Sequence, residues 1–396
     1  MKRNISLFNL VLLVFFLLCG CDKETVNDQA KAVDREEISQ KAVDEFYKFR
    51  AGLTSVSRAE DNLTIEKVEE MDVPIQVTMS RATNFARALD SDKIDLKLHV
   101  IEFSSNGEAG FAIVSGDERT RPVFMYTEKG SITDTAYIVP LAEYIKNIPQ
   151  ICADELYMYY SGETNDDVIL SRAEEPRIYL DLKTKWAQGY PYWDLMPIIK
   201  CGGESRRSYV GYTVIALAQC MVYCGYSYTK GYHFSDMKNV IVLSTTHPMY
   251  KEIPLFLYEL GNGFVSYNCQ ESKSYLVNAQ EKLAEFNFVD GVDYIIEKTN
   301  GLNTTRFYSS LQANCPTAMS GATLNEGMHT WVLHGQEYYQ NTRMICCNYG
   351  WAGECDGWYS DWQRPVDQQT MKPKFATGFY RLNEYLYFIR DRSNWC

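Results

Sequence analysis

The sequence lacks a surplus of positive charge. Lys and Arg number 39 against 51 Asp and Glu, so the formal net charge is -12 and the sequence pI is about 5.1. A basic face that could track phosphate backbones is therefore not expected, and nucleic acid is excluded as a partner. Histidine is scarce, at 5 residues, and no Cys-x-x-Cys motif occurs. We accordingly expect no metal site and no cofactor.

A long apolar run is also lacking, because the run Leu10 to Leu18 is too short to span a bilayer. Lys2 and Arg3 precede it, and Leu18-Cys19-Gly20-Cys21 follows. This pattern predicts a lipoprotein signal peptide over residues 1-20 and a lipid anchor at Cys21. An ordinary signal peptide with an accidental cysteine is the alternative. The predicted location is the outer membrane or cell surface of a Gram-negative bacterium.

Cysteines are present, but their spacing shows no disulfide framework. Ten follow Cys21, and in a chain of 396 residues we expect several to be free thiols. Cys220 and Cys224 lie four residues apart on one predicted helix, where buried small apolar residues are favoured over metal ligands.

The composition, 46% hydrophobic and 14% aromatic, is that of a globular protein with at least two domains. Residues 21-66 are predicted to form a tether with a short helix, Ile38 to Phe49, in which Ala42, Phe46 and Phe49 share one face. Residues 67-160 alternate strand-like segments, such as His99 to Phe103, with helix-like segments, Ser80 to Leu89 and Leu141 to Ile148. This alternation predicts a small α+β domain. A polar linker over residues 161-179 separates it from the larger domain, residues 180-396.

The segment from Ser208 to Tyr226 predicts a buried helix. Its apolar residues recur at helical spacing, Gly211 precedes it and Gly225 follows it. We expect its first turn to face outward, a position that suits a nucleophile because the helix dipole stabilises negative charge there.

Four motifs resemble the streptopain family of papain-fold cysteine peptidases. They are Trp186-Ala187-Gln188-Gly189-Tyr190-Pro191-Tyr192, Ala216-Leu217-Ala218-Gln219-Cys220-Met221, Gly327-Met328-His329-Thr330-Trp331 and Cys346-Cys347-Asn348-Tyr349-Gly350-Trp351-Ala352-Gly353. The run from Gly110 to Arg119 resembles the pro-domain or inhibitor-like domain of that family. The resemblance implies an α+β protein: a small α+β pro-domain, then a papain-like domain with a central helix in its N-terminal helical part and a C-terminal antiparallel β part.

The resemblance also implies site residues. Gln188 matches the glutamine that donates to the oxyanion, His329 the catalytic histidine, and Asn348 the asparagine that orients it. The nucleophile position holds Tyr212 where the family has cysteine. A phenol with a pKa of about 10 is roughly 0.1% ionised at pH 7, so the nucleophile is lost.

Spacing alone predicts that two of these residues meet. Strands from Thr330 to Gly335 and from Thr342 to Asn348, joined by a hairpin centred between Tyr338 and Tyr339, would place position 329 opposite position 348. An imidazole and a carboxamide would then lie side by side.

Another thiol could in principle replace the missing one. Cys220 lies about 12 Å of helix rise beyond position 212 and is excluded. Four others stay open on spacing: Cys201, Cys315, Cys346 and Cys347. Three further departures from the family are His334, Tyr349 and Ala352, and the family's glycine-rich loop is replaced by Arg364 to Thr370.

The function predicted from these residues is an exported lipoprotein without peptidase activity that binds a peptide or protein ligand in its cleft. The resemblance implies that its own pro-domain is a second partner, since such a domain occupies the cleft in the family. The alternative is an active cysteine endopeptidase made as a zymogen. An inhibitor of neighbouring peptidases is a third class, without a residue signal of its own.

Overall fold

The structure is a computed structural model and describes residues 28–54, 62–74, 96–161, 176–225, 231–269, 272–286, 292–299, 302–322, 328–361, 366–367, 372–373 and 382–390. The predicted signal peptide, Cys21 and the helix-like stretch from Ser80 to Leu89 lie outside these residues. In the described part of the chain, no helix is long and apolar enough to cross a membrane.

The helices are α1 (Asp28–Thr54), α2 (Val139–Ser161), α3 (Tyr212–Cys224), α4 (Phe234–Met237), α5 (Glu252–Gly261), α6 (Ala279–Glu285) and α7 (Thr304–Gln312). The strands before α3 are β1 (Leu63–Asp72), β2 (Lys97–Ser105), β3 (Glu108–Val114), β4 (Val123–Thr127), β5 (Ile178–Tyr179), β6 (Ile198–Cys201) and β7 (Glu204–Arg207). Those after it are β8 (Ser266–Tyr267), β9 (Ser272–Lys273), β10 (Val292–Thr299), β11 (Thr317–Ala322), β12 (Met328–Tyr339), β13 (Thr342–Asn348), β14 (Gly357–Ser360), β15 (Val366–Asp367), β16 (Lys372–Pro373) and β17 (Leu382–Arg390).

One antiparallel sheet of 11 strands runs through both predicted domains in the order β1-β2-β3-β4-β14-β13-β12-β11-β17-β10, and β5 adds to β12. The junction is the pairing of β4 with β14, in which Trp358 lies opposite Tyr126. The predicted fold class is confirmed: a small α+β unit precedes a part with a central helix and an antiparallel sheet.

Helix α1 is longer than predicted and packs on the N-terminal part of the sheet. Ala42, Phe46 and Phe49 are buried, and the Phe46 ring lies 5.1 Å from that of Phe103 between centroids. The prediction of a tether is therefore wrong for residues 28–54, because their apolar face is covered by β2, β3 and β4.

The N-terminal part contacts the rest of the chain along β14 and the turn before it, and through α1 at the β12–β13 turn, where Glu45 accepts from Tyr339 and Gln340. Arg121 donates to Ser360 Oγ at 2.9 Å, and Lys129 donates to the carbonyl of Ala352 at 3.2 Å. Residues 96–161 thus contact β14 and the turn before it. The expectation that this domain occupies the cleft stays a prediction, because residues 75–95 of the domain lie outside the described residues.

Helix α3 is the centre of the larger part and is buried along nearly its whole length. Gly211 precedes it with φ of +100°, and a Cβ there would lie 3.1 Å from the carbonyl oxygen of Ser272, so a side chain is disfavoured. Gly225 ends the helix, and its N–H donates to the Met221 carbonyl. The prediction that the first turn faces outward is wrong, because Tyr212 is only 5% exposed.

The hairpin of β12 and β13 has a different register from the predicted one. Its turn lies at Gln340 and Asn341, which both have positive φ, and Val332 rather than His329 lies opposite Asn348. A bulge between Leu333 and Gly335 shifts the pairing by one residue, so that Val332 instead of Leu333 lies opposite Asn348. The predicted pairing of positions 329 and 348 is therefore wrong.

Candidate active site

The first site residue on α3, Tyr212, packs against His329 at the start of β12. Their ring centroids lie 5.2 Å apart with an interplanar angle of 52°. Both side chains are buried. The neighbouring Thr213 Oγ1 lies 3.0 Å from Thr330 Oγ1, so two consecutive contacts hold the helix start on the strand. The structure thus brings the predicted nucleophile position and the predicted histidine together.

The His329 imidazole lies among aromatic rings. Trp331 and Trp351 stack on it at 6.2 and 6.3 Å, and Tyr349 lies at 6.5 Å. Its Nε2 lies 2.9 Å from the Tyr349 carbonyl oxygen, which can only accept, so Nε2 carries the proton and Nδ1 does not. Burial lowers the pKa of His329 to about 4, while the bond to the Tyr349 carbonyl opposes that shift. At pH 7 the ring is neutral.

Asn348 does not orient His329. Among the described residues its amide Nδ2 donates to the Thr184 carbonyl at 2.8 Å, and its Oδ1 accepts from Gln219 Nε2 at 3.2 Å and from the Gly350 N–H at 3.0 Å. The Tyr349 carbonyl holds the ring where the resemblance implied Asn348. The cause is the hairpin register, which moves the asparagine three residues away from the cross-strand position of the histidine.

Gln188 lies beside the start of α3, because its carbonyl accepts a hydrogen bond from the Val210 N–H at 3.1 Å. The preceding residue, Ala187, forms an isolated bridge with Trp351. Gln188 therefore sits between the segment that leads into Tyr212 and the loop that follows Asn348, as expected for a residue of the same site.

Two residues of this region were missed by sequence reasoning. Gln219 joins three segments, since its Oε1 accepts from the Trp186 N–H and its Nε2 donates to Asn348. Gln219 lies within the helix motif that resembles the family. The sequence does not indicate that its side chain is buried and bonds to two other segments. Asp356 Oδ1 accepts from the Tyr349 N–H at 2.8 Å, and burial raises its pKa to about 7. Both residues hold the chain around His329.

The free thiols of the described residues do not replace the missing one. Seven cysteines are free and buried, and Cys201 and Cys269 form a disulfide, which removes Cys201 from the candidates. Cys220 and Cys224 are buried on α3, as predicted. Burial raises the pKa values of Cys220, Cys346 and Cys347, which disfavours the thiolate.

One thiol does contact an imidazole, but away from Tyr212. Cys346 Sγ lies 3.4 Å from His334 Nε2, and His334 Nδ1 donates to the Leu180 carbonyl at 2.9 Å. The thiol is therefore the donor in this pair. Burial lowers the pKa of His334 to about 4, so the pair is neutral, unlike an activated thiolate and imidazolium.

The described residues contain no group of three or more His, Cys, Asp or Glu side chains placed to hold a metal ion. The site offers a neutral imidazole, a buried phenol and fixed backbone groups. It contains hydrogen-bonding and aromatic surface for a ligand, but no ionised nucleophile in contact with His329.

Comparison with known proteins gives a family match, similarity to solved structures and one negative result. No curated protein matches the sequence. A fragment of prointerpain A from Prevotella intermedia, solved as a point mutant, is similar at 17% identity with a TM-score of 0.49, and the match covers 72% of this chain and 94% of that chain. The model of the Peptidase C10 family matches residues 186–359, which contain Gln188, Tyr212, His329 and Asn348. The resemblance to the streptopain family is thereby confirmed, and residues 186–359 are assigned to Peptidase C10.

Proposed function

We propose that this chain is an exported lipoprotein of the Peptidase C10 type whose cleft binds a peptide without cleaving it. The contact of the Tyr212 ring with His329, 5.2 Å between centroids, carries the proposal. Thiol catalysis needs a thiolate next to the imidazole, and a phenol in that place gives an aryl ester no better than direct attack by water.

Exposed aromatic residues flank the closed site and offer contact surface to a peptide. Trp351 is 38% exposed while stacking on His329, and Tyr275 is 54% exposed. Tyr275 follows Ser274, whose carbonyl accepts from Thr213 Oγ1 at 2.9 Å. Large rings that stay partly exposed next to a pocket are common anchors of bound peptides.

A peptide electrophile directed at cysteine tests the inactivity. We expect a biotinylated peptidyl epoxide to leave the full chain unlabelled in intact-mass analysis, because no thiol of the described residues contacts His329. Stoichiometric labelling of one cysteine in the unmutated chain, together with no labelling of the His329→Ala variant, would contradict the proposal. It would favour an active endopeptidase made as a zymogen.

Peptide binding itself is tested with aromatic variants. Trp351→Ala should weaken the binding of a fluorescent peptide pool, whereas Tyr159→Ala, which removes a ring 53% exposed on α2, should not. Equal binding by both variants would mean that the ligand does not use this site.

Lipid attachment is tested at Cys21. The unmutated protein should enter the detergent phase of a phase separation, because Leu18 to Cys21 offers a lipobox. Cys21→Ser should stay in the aqueous phase. An unmutated protein found in the aqueous phase would contradict the anchor.

A further inference from the structure

Strands β6 and β7 form a separate two-stranded hairpin directly before the central helix. Cys201 lies opposite Glu204, and Gly202 and Gly203 form the turn with φ of +61° and +94°. The Cys201–Cys269 disulfide ties the tip to the segment before β9, and the Ser208 N–H donates to the Pro197 carbonyl at the base. The hairpin is therefore held in place at both ends.

The two faces of this hairpin differ in character. Residues paired directly across an antiparallel ladder share one face. Cys201 and its partner Glu204 share a face with Arg206, which donates to the Cys269 carbonyl and so points to the body of the protein. The other face carries Ile198, Lys200, Ser205 and Arg207, and all four residues are exposed.

This outer face is basic on an acidic protein. It carries two cations and no carboxylate, although the chain as a whole has a formal net charge of -12. Arg207 donates to the Met196 carbonyl at 2.7 Å, and neither Lys200 nor Arg207 has an ion pair with any described residue. Two unneutralised cations this close together attract a ligand with more than one negative charge.

The same face also offers an exposed apolar side chain and backbone groups at a strand edge. Ile198 is 63% exposed between the two cations, being on the same strand as Lys200 and opposite Arg207. Among the described strands β6 and β7 pair only with each other. Cys269 Sγ lies 3.1 Å from the Lys200 carbonyl oxygen, so the part of the β6 edge available to a further strand is at Ile198. An extended peptide can add to such an edge, and alternate side chains then lie on one face.

We infer that the outer face of the β6–β7 hairpin binds an extended acidic peptide segment. Carboxylates of the segment meet Lys200 and Arg207, and an apolar side chain between them covers Ile198. Arg207 precedes Tyr212 by five residues, which spans at most about 17 Å, so one peptide can lie on the hairpin and at the cleft. The inference rests on the proposed function and deepens it by naming the chemistry of the ligand.

The test measures fluorescence anisotropy of three labelled peptides with the full chain. They are Glu-Val-Glu-Val-Glu-Val-Glu and the same sequence with Gln or with Lys in place of Glu. The acidic peptide should bind tightest, and its affinity should fall with added salt. Lys200→Gln/Arg207→Gln should weaken it roughly tenfold, whereas Lys238→Gln/Lys251→Gln, which removes the same charge from exposed positions elsewhere, should not.

The outcomes separate this inference from the proposed function. Unchanged binding of the acidic peptide by the hairpin variant, with weaker binding by Trp351→Ala, would overturn the hairpin site and leave the cleft in place. Failure of all three peptides to bind the unmutated chain would overturn the hairpin site, and the proposed function would fall as well only if the fluorescent peptide pool also failed to bind. Hairpin-dependent binding of phosphatidylglycerol vesicles without peptide binding would replace the peptide with a lipid surface.

Discussion

Two histidines of strand β12 have similar surroundings but contact different kinds of side chain. His329 and His334 are both buried, both donate one ring nitrogen to a backbone carbonyl at 2.9 Å, and burial lowers both pKa values to about 4. His329 faces the ring of Tyr212 at the start of a helix, whereas His334 accepts from the thiol of Cys346 within the sheet.

The difference shows that a thiol and an imidazole in contact do not make a nucleophile. Cys346 has the imidazole but no helix N-terminus and no exposure, so nothing stabilises its thiolate. Position 212 has the helix N-terminus and the imidazole but no thiol. The groups that a cysteine peptidase needs are thus divided between two histidines of β12: the thiol lies next to His334, and the helix N-terminus lies next to His329.

Restoring the thiol at the first place should have the largest effect. Tyr212→Cys places a thiol at the N-terminus of α3 next to an imidazole whose Nδ1 can accept its proton, so its thiolate form becomes accessible. We expect alkylation by iodoacetamide at pH 6 to be at least about tenfold faster than in Tyr212→Cys/His329→Ala. Removal of the buried ring should lower the free energy of unfolding by about 2–4 kcal/mol.

Tyr212→Ser is the matched control, because it opens the same space without a thiol. Equal, slow alkylation of the single and double cysteine variants would show that His329 does not act on position 212.

Acid should destabilise the fold through both histidines. Each has a folded pKa of about 4 and an ordinary value of 6.5, so as pH falls from 6.5 to 4 the unfolded chain takes up a proton that the folded chain does not. Each histidine should remove on the order of 3 kcal/mol of stability over this window. Denaturant unfolding at a series of pH values measures the loss, and His329→Gln or His334→Gln should reduce it.

Asp356 acts in the opposite direction. Its folded pKa of about 7 lies above the ordinary value of 3.8 for an aspartate, so its destabilising effect at neutral pH is relieved as pH falls. Asp356→Asn should therefore steepen the net acid loss. His233→Gln changes an exposed histidine and is the control. An identical acid loss in His334→Gln and the unmutated chain would contradict the buried neutral imidazole.

Asn348 should matter for stability more than for the imidazole. Asn348→Ala removes the partners of Gln219 Nε2, the Gly350 N–H and the Thr184 carbonyl, so the free energy of unfolding should fall by about 2–3 kcal/mol. In the Tyr212→Cys background the pH dependence of alkylation should stay unchanged, because the Tyr349 carbonyl holds His329. Asn239→Ala, at an exposed asparagine, is the control. A shifted pH profile would restore Asn348 as the orienting residue.

The thiol beside the second histidine should matter least. Cys346→Ala removes one weak S–H hydrogen bond and one buried sulfur, for a loss of about 1 kcal/mol in unfolding free energy. This variant should stay unlabelled by the peptidyl epoxide, like the unmutated chain. Labelling of the unmutated chain that is absent in Cys346→Ala would identify Cys346 as a nucleophile after all.

Local pattern was sufficient to predict several elements. The helix between Gly211 and Gly225 was correct because its apolar spacing and flanking glycines act within a few residues. The strand segment from His99 to Phe103 and the helix from Leu141 to Ile148 also lie within observed elements. The juxtaposition of Tyr212 and His329 followed from the family motifs rather than from spacing.

The errors concern contacts between distant segments. The hairpin register depended on a turn at Gln340–Asn341 and on a bulge, and the spacing of two strands does not specify either. The polar mean composition of residues 21-66 predicts a tether with a short helix. The shared face of Ala42, Phe46 and Phe49 is correct, but its packing on the sheet depends on strands far away in the sequence. The Cys201–Cys269 disulfide joins positions 68 residues apart and has no local signal.

The pairing of β4 with β14 affects how the protein unfolds. Cores on both faces of the sheet contain side chains from both sides of this junction, among them Phe46 with Trp358 and Phe111 with Tyr359. Separation would expose these faces to water together with two strand edges. A protease cut between Ser161 and Pro176 should therefore leave two fragments that stay associated and melt in a single cooperative transition.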